Sequence, residues 1–131
     1  MSKTQYLGQQ LLTVGAVVDG AVPLTDASSV AVNAQLGNYF RLTMTSGVGA
    51  SRTIAAPSNP VDTQLILFEL IQDSTGSQTV TWTSGAGGYE WGTDVPVPTL
   101  TTTASKADYV GFVYNATANI WRGIAVARGY T

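Results

Sequence analysis

The sequence predicts an all-β fold, an antiparallel, jelly-roll-like β-sandwich with an extended N-terminal arm. Three observations point there. Thr, Val, Tyr and Trp recur in short runs, Gly, Pro, Asn and Asp punctuate them, and no stretch pairs a helix cap with a 3.6-residue apolar period. The size fits one domain, since 131 residues with 44% hydrophobic content, 14 Gly and 5 Pro make a globular composition of single-core length.

Strands are expected at Ser29 to Ala34, Tyr39 to Thr45, Ser51 to Ala55, Gln64 to Gln72, Gln78 to Trp82, Thr99 to Thr103, Asp108 to Tyr114 and Ile120 to Val126. Asp73-Ser74-Thr75-Gly76 and Asn115 to Asn119 read as hairpin turns between antiparallel neighbours, because Gly and Asn tolerate the positive φ of tight turns. Pro57, Pro60, Pro96 and Pro98 fall between strands, where a missing N–H harms no ladder. Residues 1–24 form the arm and 25–131 the sandwich. Neither alternation nor a cap organises Ser2 to Leu12, and Asp19-Gly20 reads as a turn.

The strand Gln64 to Gln72 is apolar on both faces. Leu65, Leu67, Glu69 and Ile71 share one side, and Ile66, Phe68 and Leu70 the other. Tyr109 to Tyr114 repeats the trait. A sandwich buries one face of each sheet, so the second face calls for a loop, the arm or another subunit. A homotrimer with Leu65, Leu67, Glu69, Ile71, Tyr109 and Val113 at the subunit contact is the expectation. Two half-interfaces of ~800 Å² would hide about a quarter of the ~6,600 Å² expected for a chain of this mass. If Glu69 faces inward, Arg41 or Arg122 is its natural partner, since an unpaired buried carboxylate is costly.

Composition narrows function. Charged residues are only 11% and the net charge is -2, too poor in cations for the basic stripe that drives nucleic-acid binding. Without Cys or His there is no thiolate, no imidazole base, no Ser-His-Asp triad and no Cys/His zinc site. No enzyme, cofactor or metal is expected, and the absence of Cys leaves the redox compartment open. Leu11 to Val18 is far shorter than the ~20 residues that cross a bilayer, so no membrane partner is expected, and the start reads as mature sequence. Ser46-Gly47-Val48-Gly49 lacks the helix and Lys of a phosphate loop, and Asp19, Asp26 and Asp62 are too scattered for a calcium loop. Trp82, Tyr89 and Trp91 flank a Gly-rich loop and are candidates for stacking a host-surface glycan, against the plainer reading that they plug the sandwich. Glu90 and Asp94 are a weak candidate for a glycosidase pair, which needs two carboxyls at a defined separation, and no glycosidase is expected.

An ordered series of motifs carries a resemblance. Tyr39-Phe40-Arg41-Leu42-Thr43, Arg52-Thr53-Ile54-Ala55, Pro57-Ser58-Asn59-Pro60, Ile71 to Gly76 and Thr79-Val80-Thr81-Trp82 resemble the small β-sandwich module of tailed-bacteriophage virion proteins. The likeness continues through Tyr89-Glu90-Trp91, Pro98-Thr99-Leu100, Asp108, Phe112-Val113-Tyr114 and Trp121, over about residues 37 to 128, and omits the arm. Glu69 departs from it, standing where relatives carry a basic or neutral polar residue. The resemblance implies a trimeric virion structural protein of the capsid decoration, head fibre or tail fibre type. A decoration protein on the outer capsid surface is preferred, since a fibre usually needs length. Its partners would be itself and the major capsid protein, the latter engaged by Tyr6, Leu7, Leu11 and Leu12. The alternative is a fibre module that binds a host-surface glycan.

Overall fold

The computed structural model describes residues 20–131. Among the described residues there are nine strands: β1 (Val22–Pro23), β2 (Ser29–Val30), β3 (Tyr39–Met44), β4 (Ser51–Ile54), β5 (Leu65–Gln72), β6 (Thr79–Trp82), β7 (Tyr89–Glu90), β8 (Ala107–Asn115) and β9 (Ile120–Tyr130). A single 3-10 turn, Ala34–Leu36, follows Asn33, whose side chain accepts the N–H of Gln35. The fold is all-β, in two sheets that share one core.

The connectivity differs from the expected one. The first six strands alternate between the sheets: β1, β3 and β5 lie side by side in one, β2, β4 and β6 in the other, and all four ladders are parallel. The chain therefore winds as three stacked coils, solenoid-like. Parallel neighbours need a long crossover, and here the strand in the opposite sheet supplies it. Tyr39 lies opposite Leu67 and Ser51 opposite Thr79, so both ladders step by the same distance along the chain.

After the coils the pattern reverses. β8 runs antiparallel to β5, β9 antiparallel to β8, and β7 lies parallel to the start of β9, completing the order β1-β3-β5-β8-β9-β7. The turn after Asn115 is the expected hairpin. The turn at Asp73 to Gly76 is not: it carries the chain from one sheet to the other. Its chemistry is what was read, with Asp73 Oδ1 accepting the N–H groups of Thr75 and Gly76 at 3.0 Å and Gly76 at φ +74. A Cβ there would lie 2.6 Å from the Thr102 carbonyl, so only Gly fits. Turn chemistry is the same at a hairpin and at a corner, and only the partner strand tells them apart.

Other boundaries shift as well. β1 falls within the segment read as arm, pairing Val22 with Phe40 and Pro23 with Arg41, and only Ser29–Val30 of the Ser29 to Ala34 strand is extended in a ladder. Thr99 to Thr103 forms no strand. It is a loop held by point contacts: Thr101 N–H donates to Asp108, the Thr101 carbonyl accepts from Gln72, and the Thr102 carbonyl from Ser77.

Alternation decides the core. Phe40, Leu42 and Met44 of β3, Ile66, Phe68 and Leu70 of β5, and Val110, Phe112 and Tyr114 of β8 point inward against Val30, Ile54, Val80 and Trp82 of the smaller sheet.

Candidate functional site

The outward face of the six-stranded sheet gathers the residues expected at a subunit contact. Leu65 lies opposite Val113, Leu67 opposite Gly111, Glu69 opposite Tyr109 and Ile71 opposite Ala107. β3 continues the surface, with Tyr39, Arg41 and Thr43 beside Leu67, Glu69 and Ile71, and β9 adds Ala125 and Ala127 opposite Gly111 and Tyr109. The six residues named from sequence thus share one face, Leu65 exposed and the others half-buried. Gly111 lies between Leu67 and Ala125 on this face, where a Cβ would make ordinary contact with both at 3.6 Å.

Glu69 sits at the centre of this face rather than inside the sandwich. Its Oε1 accepts from Arg41 Nε at 2.8 Å and from the Tyr39 hydroxyl at 2.5 Å, and its side chain is 12% exposed. Of the two partners named for it, Arg41 is the one used, while Arg122 binds Glu90 at 3.0 Å. Burial works to raise the Glu69 carboxyl, but the hydrogen bonds from Tyr39 and Arg41 outweigh it and hold the group below its usual range. Burial and the carboxylate together push the Tyr39 phenol up to about 12. Tyr39 was missed from sequence, although its place two residues before Arg41 puts both on one strand face.

The aromatic candidates are brought together, but against one another. Tyr89 is 2% exposed, its hydroxyl donating to the Ala55 carbonyl at 3.0 Å. Trp82 meets Tyr89 at 5.0 Å and Trp91 at 5.7 Å between ring centroids, and Phe112 lies 4.7 to 5.2 Å from all three. Trp91 also lies on Gly123, where a Cβ would come within 2.6 Å of the ring. These rings close one end of the sandwich. Glu90 is engaged by Arg122 and Asp94 stands on the exposed loop beyond it.

The opposite end holds a polar cluster that was also missed. Arg52, with its side chain 0% exposed, forms a paired contact with Asp26 (Nε to Oδ1 2.7 Å, Nη2 to Oδ2 3.0 Å). It also donates to Gln78 Oε1 and the Thr45 carbonyl. Gln72 and Gln78 bond reciprocally, Gln72 Nε2 to the Gln78 carbonyl and Gln78 N–H to Gln72 Oε1. Asp26, Arg52 and Gln78 stand 26 residues apart in turn, one on each coil. An internal repeat was the available signal: Phe40 and Leu42 recur as Phe68 and Leu70, and Thr53 as Thr81, each at an offset of 28.

The arm residues Tyr6, Leu7, Leu11 and Leu12 lie outside the described residues. Among the described residues no group of three or more His, Cys, Asp or Glu is placed to hold a metal, and no helix is long and apolar enough to cross a membrane. No protein-family model, curated protein or solved structure matches this chain.

Proposed function

We propose that this protein is a structural subunit of a tailed-bacteriophage particle: a homotrimeric decoration protein that binds the major capsid protein at the outer head surface and stabilises the shell. The sequence resemblance suggests the particle. The observation that carries the assembly is the outward face of the six-stranded sheet, where apolar side chains surround one carboxylate already satisfied by Tyr39 and Arg41. Covering such a face removes apolar area from water without stranding Glu69, which is the condition for a favourable contact. Leu65, Leu67, Ile71, Tyr109 and Val113 make the contact between copies, and the arm with Tyr6, Leu7, Leu11 and Leu12 engages the capsid. Binding to assembled shells alone stabilises them by mass action.

The glycan-binding fibre alternative draws less support. Tyr89 is buried, and Trp82 and Trp91, both half-buried, are in T-shaped contact with each other, with Trp82 also against Tyr89, rather than laid out as a free stacking platform.

Native mass measurement tests assembly: three copies of the 13.7 kDa chain are expected, with Leu67→Lys giving monomers of unchanged circular dichroism. Labelled antibody on purified particles tests location. A monomer at tens of micromolar sinks the assembly reading, and a protein absent from particle heads sinks the decoration reading.

A further inference from the structure

Two corner turns meet near the aromatic end, residues 33–38 between β2 and β3 and residues 59–64 between β4 and β5. Between them lies an open cleft of about 500 Å³ lined by Gln35, Asn38, Asn59, Gln64, Pro60 and Val61. Gln64 ties its walls together. Its Nε2 donates to the carbonyls of Ala34 at 2.8 Å and Gly37 at 3.3 Å, and its Oε1 accepts the Val61 N–H at 3.2 Å.

The other amides are held by one side only. Asn38 Nδ2 donates to the Leu65 carbonyl at 2.6 Å, and Asn59 Nδ2 to Asn33 Oδ1 at 3.0 Å. Asn59 holds a backbone φ of +53, which Asn tolerates better than most residues. Among the described residues, nothing donates to Oδ1 of Asn38 or Asn59, and the Gln35 side chain has no partner.

We infer that this cleft binds a neutral polyhydroxylated ligand, a short uncharged saccharide, at a site separate from the Trp82, Tyr89 and Trp91 cluster. A carboxamide offers a donor and an acceptor, and a sugar hydroxyl is both, so the two classes match without net charge. No Lys, Arg, Asp or Glu lines the cleft. A phosphate or carboxylate would find no counter-charge there, and neither would a cation. Pro60 and the exposed Val61 supply an apolar patch for the C–H face of a sugar ring. The cleft is within the size range of small-molecule sites. The inference does not rest on the particle reading, since it concerns turn residues away from the outward sheet face.

The test is a nitrogen-15 NMR titration of the full chain with maltotriose, cellotriose and chitotriose, and with trigalacturonic acid as the charged counterpart. At least one neutral trisaccharide is expected to shift the side-chain amide signals of Gln35, Asn38 and Asn59 with a Kd of about 1 mM or lower. Gln35→Ala should weaken that binding about five-fold with no change in Tm, since one hydrogen-bonding group is lost and none within the fold. The inference is overturned if no neutral probe shifts these signals, if the acidic trimer binds as tightly, or if the shifts fall on Trp82 and Trp91 instead.

Discussion

At the end where β5 passes into β6, Arg52, Asp26, Gln78 and Gln72 satisfy one another across three coils, while at the other end Trp82, Tyr89, Trp91 and Phe112 pack ring against ring and Trp121 packs on Tyr114. The first end depends on direction and the second on area. Every Arg52 nitrogen is engaged, and Asp26 also accepts from the N–H and hydroxyl of Thr45. By contrast, the buried indole N–H groups of Trp82 and Trp121 find no acceptor among the described residues. An unsatisfied donor costs about 1–3 kcal/mol, whereas burying a large ring removes on the order of 200 Å² from water, contributing up to ~5 kcal/mol. The aromatic end can therefore carry two orphan donors. The polar end has no such reserve, and its contacts must close.

The comparison breaks most sharply at Arg52. Arg52→Met keeps roughly the same volume but leaves Asp26 and Gln78 facing an apolar chain, so urea unfolding should show a loss of about 3–5 kcal/mol. A loss below about 1 kcal/mol would mean that the coils are held by packing alone. The matching change at the aromatic end is steric: Gly123→Ala drives a methyl into Trp91. A loss of about 1–3 kcal/mol is expected, with a red-shifted Trp emission as the displaced ring meets water.

Acid should separate the two ends further. Asp26 is held below its ordinary value of 3.8, because the Arg52 and Thr45 hydrogen bonds outweigh a larger single effect of burial in the other direction. The Ser46 N–H does most to lower Asp73. A depressed carboxylate adds stability above its unfolded pKa and sheds it as pH falls through the folded value. Hydrogen exchange between pH 6 and 3 should show the Thr45 and Ser46 amides losing protection while amides around Tyr89 and Trp121 keep theirs. Simultaneous loss at both ends would remove the distinction. The smallest effect is Tyr89→Phe, which deletes one hydrogen bond from a ring held by area and should cost about 1 kcal/mol in the same urea assay.

Legibility followed the range of the interaction. The strands Tyr39–Met44, Leu65–Gln72 and Ala107–Asn115 stand close to where alternation put them, because the two-residue side-chain period is local. That period is identical in parallel and antiparallel ladders, so the coiled winding was not legible from it. Arg41 was readable only as one of two candidate partners of a Glu69 turned inward, Arg122 being the other, because β5 is apolar on both faces and its own pattern could not say which one turned outward. Asp26 looked scattered because its partners, Thr45 and Arg52, lie on the next coil along the chain.

Sequence alone determined that this chain is β-rich, poor in charge, without Cys or His, and endowed with strands that are apolar on both faces. Those properties belong to single side chains and their nearest neighbours. Tertiary structure decided which strands became neighbours, that Glu69 would share a face with Tyr39 and Arg41, that Arg52 would be enclosed, and that two distant turns would enclose an amide-lined cleft. Each of these depends on contacts between segments far apart in the chain, where the free energy of closing a loop is balanced only once both sheets are in place.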